Sequence, residues 1–310
     1  MKRLFILASA AALMLASCAK TTVVYNEAPE EIGFKAVTGV MTKAHVEWNQ
    51  ETSKLGVFAI YQDNNLYLEN KAFEKHTTES YFVGEEKSYY WPIGESLDFV
   101  VYAPHTNGVT YNGTTEVLTW TVNNSATDQT DVLYGGKKLT LAKQSNAMEM
   151  PLKHALAQVV VNIKADQADV VTVNSLTLNN IYVNETLTIN YTNPESPVIT
   201  WTTNNSTSRT LFTDLPLTTT DSNTNCFIVP ASQTQLNLNY TLAGNATPIN
   251  YPIDLTGYGN WEAGKKYVYN IEVSASEIKF NPVPAEWITD LDDDPETNDA
   301  FNVPPVNQTV

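Results

Sequence analysis

The residue whose setting implies the clearest chemistry is Cys18. Leu15-Ala16-Ser17-Cys18 ends a short N-terminal segment and puts a thiol where a bacterial lipoprotein would be cut and acylated. Lys2 and Arg3 form a positive start, and Leu4 to Met14 is apolar apart from Ser9. That run is too short to span a bilayer comfortably, and its flanks suit a cleaved signal. Each acyl chain on Cys18 would add about 0.8 kcal/mol of membrane affinity per buried CH₂. Residues 1–17 are therefore expected to be a lipoprotein signal peptide. Residues 18–31, with Glu27, Pro29, Glu30 and Glu31, are expected to be a polar tether.

Other reactive side chains do not assemble into a known catalytic pattern. The chain has no G-x-S-x-G elbow, Gly-rich phosphate loop, H-E-x-x-H or C-x-x-C. His45, His76, His105 and His154 are scattered, and His154 is expected to be a structural residue at the start of a strand. Glu85-Glu86 lies beside Tyr89, Tyr90 and Trp91, but neighbouring strand residues point to opposite faces, a poor arrangement for an acid/base pair. Asp290-Leu291-Asp292-Asp293-Asp294 mimics the start of a calcium loop. Pro295 and Phe301 then stand where that loop needs Gly and Glu. No catalytic residue, metal site or cofactor is expected, and the chain is read as a non-enzyme.

Charge narrows the partners. The formal net charge of the 310 residues is −16, and loss of Lys2 and Arg3 with the signal would take it to −18. Such a body repels nucleic acid, so nucleic acid is excluded as a partner. The two cysteines are Cys18 and Cys226. With Cys18 acylated, Cys226 has no partner, and its place in Asn225-Cys226-Phe227-Ile228-Val229 reads as a small buried hydrophobe.

The elements that would position these residues are strands. Leu97, Phe99, Val101 and Ala103 alternate along one segment. Ala155, Ala157, Val159, Val161 and Ile163 do so along a second, Leu236, Leu238 and Tyr240 along a third, and Tyr267, Tyr269, Ile271 and Val273 along a fourth. Turn signals recur at Asp63-Asn64-Asn65, Asn107-Gly108, Asn112-Gly113, Gly135-Gly136, Thr256-Gly257 and Ala263-Gly264. No helical stripe of convincing length is present. The expected class is all-β, in face-to-face sandwiches. Polar residues 143–147 suggest a division into bodies at 32–146 and 147–287, followed by an acidic, Pro-containing tail at 288–310 with little structure of its own.

An ordered set of motifs then carries a family likeness. After the lipidation signal come Ile32-Gly33-Phe34-Lys35-Ala36-Val37, Thr42-Lys43-Ala44 and Leu55-Gly56-Val57-Phe58-Ala59-Ile60-Tyr61. Tyr90-Trp91-Pro92, Leu97-Asp98-Phe99-Val100-Val101-Tyr102-Ala103-Pro104, Asp131-Val132-Leu133-Tyr134 and Leu152-Lys153-His154-Ala155-Leu156-Ala157 follow. Tyr267-Val268-Tyr269-Asn270-Ile271 and Trp287 complete it. Over residues 1–287 the chain resembles the fimbrillin family of Bacteroidales, the Mfa-like and FimA-like pilus lipoproteins.

The resemblance implies two tandem transthyretin-like (Greek-key) β-sandwich domains. It also implies export as a lipoprotein to the outer membrane and cell surface, and assembly into a fimbrium with other fimbrial subunits. In such a route proteolysis removes the first strand and a donated strand replaces it. Ile32, Phe34 and Ala36 would be the displaced core residues. Lys43-Ala44 stands at the cleavage position, where family members usually carry arginine, and a surface turn lysine with no processing role is the other reading of Lys43. Phe301, Val303 and Val306 could insert as a donor, but Pro304 and Pro305 remove ladder hydrogen-bond donors. Adhesion to a host or bacterial surface glycan or protein is a further implied role. The rival is a non-polymerising glycan-binding surface lipoprotein, with Tyr89, Tyr90 and Trp91, or Trp201, as a stacking platform.

Overall fold

A computed structural model describes residues 29–37, 53–125, 127–286 and 306–309. Cys18, Lys43, Ala44, His45, the Asp290–Asp294 run, Phe301 and Val303 lie outside the described residues.

The described chain is all-β, with one short 3₁₀ turn at Thr256–Tyr258. In order, the strands are β1 (Phe34–Val37), β2 (Leu55–Tyr61), β3 (Leu66–Lys75), β4 (Phe82–Gly84), β5 (Leu97–Ala103), β6 (Thr110–Asn112) and β7 (Val117–Thr121). There follow β8 (Leu133–Gly135), β9 (Lys138–Leu141), β10 (Met148–His154), β11 (Ala157–Ala165), β12 (Val171–Ile181), β13 (Thr186–Asn190) and β14 (Val198–Thr202). The last are β15 (Thr207–Pro216), β16 (Ser222–Ile228), β17 (Gln235–Leu242), β18 (Asn245–Asp254), β19 (Lys265–Val273), β20 (Glu277–Glu286) and β21 (Val306–Thr309).

Eight strands pair in the order β2-β3-β4-β1-β10-β8-β5-β9, and additional pairing of β2 with β5 makes this sheet barrel-like. Its interior holds Phe34, Val57, Phe73, Phe99, Val101 and Met150. The strips β2 and β5 are buried on both faces, because Phe58, Ile60, Val100 and Tyr102 pack outward against the four-stranded sheet β14-β13-β7-β6. Their near-continuous apolar runs follow from that double burial. Gly56 permits it: a Cβ there would lie 2.0 Å from the Tyr102 ring.

The C-terminal core lies between the sheets β16-β11-β19-β20-β21 and β15-β12-β17-β18. Val159, Val161, Tyr269 and Ile271 from one sheet meet Val173, Leu176, Leu238 and Tyr240 from the other, at every second position of each strand except β12, where an irregularity between Val173 and Ser175 puts Leu176 three residues after Val173. Cys226 is buried in this core with a free thiol, and burial pushes its pKa up to about 12.

Strand pairing runs past the polar stretch at 143–147. β10, at Met148–His154, belongs to the barrel-like sheet, and β13 pairs with β7 through Leu187↔Trp120 and Ile189↔Leu118. Glu30 and Glu31, assigned to the tether from sequence, are already tied into the barrel. The Trp91 N–H donates to Glu30 O at 3.0 Å, and Glu31 bridges Tyr90.

Two further expectations need correction. The second alternating segment begins as a strand at Ala157 rather than Ala155, so His154 ends β10 instead of opening β11. There its Nδ1 lies 2.7 Å from Oδ2 of the fully buried Asp131. The tail also carries structure, since Val306–Thr309 adds β21 to the edge of β20 in the register Phe280↔Val306 and Ile278↔Gln308.

The proline pattern explains where that added strand stops. Ser274 N–H donates to Glu277 O, which turns the odd residues of β20 toward β19 and the even ones outward. Ile278 and Phe280 thus offer N–H groups to β21, whereas Pro282 and Pro284, next along the same edge, have none to offer.

Candidate functional site

The site that gathers most of the expected residues is the seat of β1. Ile32, Phe34 and Ala36 alternate with Gly33 and Lys35, so the row faces one way. Ile32 and Phe34 are fully buried and Ala36 nearly so, while Lys35 is exposed.

β1 sits between two neighbours rather than at an edge. It runs parallel to β10, with Phe34↔Met148 and Ala36↔Met150, and meets β4 at Phe34↔Phe82. The Ile32 N–H donates to Tyr89 O at 2.7 Å, and the Met148 N–H to Gly33 O at 2.9 Å. At Gly33 a Cβ would come within 3.2 Å of the Tyr81 ring.

The side-chain row is held by aromatic rings. Phe34 meets Phe73 and Phe99 edge-on, each at 5.3 Å between centroids. Phe73 stacks on Tyr89 at 5.6 Å, and Trp91 meets Phe99 edge-on at 5.5 Å. Such pairs contribute about 0.5–1.5 kcal/mol each beyond the area they bury.

This arrangement corrects the expected stacking platform. Tyr89 and Trp91 are buried in the barrel core beside Phe34, and of the three only Tyr90 is exposed. The cause is strand alternation, since positions 89 and 91 share the inward face. Trp201 is partly buried, and its Nε1–H donates to Ala155 O at 3.2 Å. The expected aromatic platform is therefore a wall of the β1 seat.

The acidic candidates are dispersed. Glu85 and Glu86 are exposed, and Glu85 forms an ion pair with Lys54. His76 stacks on Tyr81, and His105 Nε2 lies 3.3 Å from Asn70 O. Among the described residues, no group of three or more His, Cys, Asp or Glu could hold a metal ion. The same residues contain no helix long and apolar enough to cross a membrane.

What the seat can do is mechanical. Withdrawal of residues 30–37 would uncover Phe73, Phe82, Phe99 and Met150 and free one edge each of β4 and β10. A gap with an apolar floor and two rows of unpaired N–H and C=O groups is a template for an incoming strand. Sequence reading found Ile32, Phe34 and Ala36 by their alternation. It did not find the partners that grip them, because Phe73, Phe99 and Met150 come from distant parts of the chain.

The fold has known counterparts. A candidate cell adhesion protein from Bacteroides uniformis superposes with a TM-score of 0.59 at 19% identity, over 83% of this chain and 99% of that one. One from Bacteroides ovatus gives 0.57 at 15% identity, over 85% and 100%. A fimbrial protein from Bacteroides vulgatus gives 0.53 at 15% identity, over 83% and 99%. At these identities the likeness is one of fold. No curated protein matches the chain. The fimbrillin-like family matches residues 41–287, most of the sequence, and family and fold together point to a structural role at the cell surface. The chain belongs to the fimbrillin-like family.

Proposed function

We propose that the chain is a surface-anchored subunit of a fimbria that assembles by strand complementation and supports adhesion. In this reading acylation of Cys18 holds the precursor to the outer membrane, and cleavage of the Lys43-Ala44 bond separates β1 from the body. A strand from another subunit then enters between β4 and β10. The chain is taken to form two tandem transthyretin-like domains, with β10 counted in the first.

The observation that carries this reading is the central place of β1, a short strand bonded on both sides and buried through Ile32, Phe34 and Ala36. A segment this deep cannot leave without a replacement, since the exposed apolar surface and the unpaired backbone would both be costly. The residues that sequence reading assigned to a glycan platform support the subunit reading over its rival, because Tyr89 and Trp91 floor and wall that same seat.

N-terminal sequencing of protein sheared from native cells, beside the cell-bound fraction, tests the reading. A start at Ala44 in sheared multimers is the expected result. Acylated Cys18 as the sole start, with no multimers, would overturn assembly by strand removal.

A further inference from the structure

We infer that the free edge of β14 is a self-complementary docking strand for a second copy of this chain, joining fimbrillin bodies side by side in an antiparallel β-pair centred on Thr200.

The four-stranded sheet β14-β13-β7-β6 contains a near-repeat. β7 reads Val-Leu-Thr-Trp-Thr and β14 reads Val-Ile-Thr-Trp-Thr, and the two flank β13 in matching register. Leu187 lies between Trp120 and Trp201, Thr188 between Thr119 and Thr200, and Ile189 between Leu118 and Ile199. On the far side of β7, β6 completes the ladder. Among the described residues no strand pairs with the corresponding side of β14.

The ladder phase shows which groups that edge presents. The Val122 N–H donates to Glu185 O, and the Tyr191 N–H to Glu116 O, bracketing the β7–β13 pairs. Odd residues of β13 therefore turn their peptide groups to β7 and even ones to β14. Through Thr188↔Thr200, β14 spends Val198, Thr200 and Thr202 on β13 and turns the N–H and C=O of Ile199 and Trp201 outward.

A two-fold axis at Thr200 satisfies all of those outward groups. It sets Ile199 opposite Trp201 of the second copy, and the reverse, as pairs exchanging both backbone bonds. It also sets Thr200 opposite Thr200 on the exposed face, a favourable cross-strand pair.

Charge selects the same occupant. In a chain of net charge −16, β14 has no charged residue, and Glu195, the first acid before it, would come opposite Asn205 of the second copy. The strand also lacks the usual edge protection. Edge strand β18 carries Pro248 and Pro252, β20 carries Pro282 and Pro284, and β14 has neither proline nor lysine, with Val198 63% exposed. One such strand pair is a small interface, so free copies associate weakly and closely spaced copies pair by multivalency.

The register is testable by cross-linking the purified full chain carrying Cys18→Ser, uncut at Lys43. Thr200→Cys should give a covalent dimer on mild oxidation, because facing residues of a non-hydrogen-bonded pair fall within disulfide reach. Val198→Cys or Thr202→Cys alone should give on the order of tenfold less, their own copies being too far apart across the axis. The double variant Val198→Cys/Thr202→Cys should restore the dimer, with an unchanged circular dichroism spectrum. Absence of dimer from both Thr200→Cys and the double variant, or equal yields from all three single variants, would overturn the proposal. Because the uncut chain is used, neither result bears on strand donation at the β1 seat.

Discussion

The ring of Phe34 meets that of Phe99 edge-on, with centroids 5.3 Å apart and planes inclined at 74°. Phe34 comes from the first described strand and Phe99 from the middle of β5, so this contact ties the strand to the far wall of the barrel.

Truncation of that contact should be expensive. Phe34→Ala is expected to cost about 3–5 kcal/mol, as buried Phe truncations do. Phe34→Asp should cost more, because it adds an unpaired buried charge. Urea denaturation of the uncut precursor measures both. A midpoint within error of the parent for either variant would mean that Phe34 does not hold the barrel.

Gly56 offers a test from the opposite direction. Its missing side chain leaves room for Tyr102, whose hydroxyl hydrogen-bonds Asn70 on β3. Gly56→Ala would drive a methyl group into that ring and is expected to cost about 1–3 kcal/mol or more as an overpacking change. The melting temperature is the readout, and a rise would contradict the close approach.

Cys226 predicts both reactivity and pH dependence. Burial pushes its thiol pKa from 9.0 up to about 12, so the folded chain holds this proton more tightly than the unfolded chain does. Its contribution to stability is therefore complete below the unfolded thiol's pKa and declines as pH rises from about 9 toward 12. At pH 8 a thiol reagent should leave Cys226 unmodified in the native Cys18→Ser chain and modify it fully in denaturant. Rapid native modification would place the thiol at the surface.

Processing can be followed genetically. Lys43→Ala should remove the mature form starting at Ala44 and its multimers, leaving cell-bound precursor. Cys18→Ser should release precursor from the membrane fraction. Immunoblots of sheared and membrane fractions separate the two effects, and unchanged multimers in Lys43→Ala would move the cleavage elsewhere.

Alternation made several strands legible. The row Tyr267, Tyr269, Ile271, Val273 became β19, because one-sided burial writes a period of two, and the row Leu97, Phe99, Val101, Ala103 became the inner face of β5, whose outer face is buried as well. Asn64 in its turn, Gly108 and Gly264 take positive φ, as their turn chemistry implies. Gly135 was misleading: it belongs to β8 opposite Leu152, where Met150 leaves almost no room for a side chain.

The sequence alone determined the all-β class, the buried character of Cys226 and the inward row Ile32, Phe34, Ala36, since each depends on local pattern and hydrophobicity. Only the tertiary structure decided that β1 lies between β10 and β4, that Tyr89 and Trp91 wall its seat, and that, among the described residues, β14 is a sheet edge whereas its near-repeat β7, across β13, is covered by β6. Those outcomes rest on pairings between residues far apart in the chain, such as Phe34↔Met148 and Leu187↔Trp120. Local periodicity states which face of a strand is apolar, but the identity of its neighbour is settled by which surfaces can close together around a shared core.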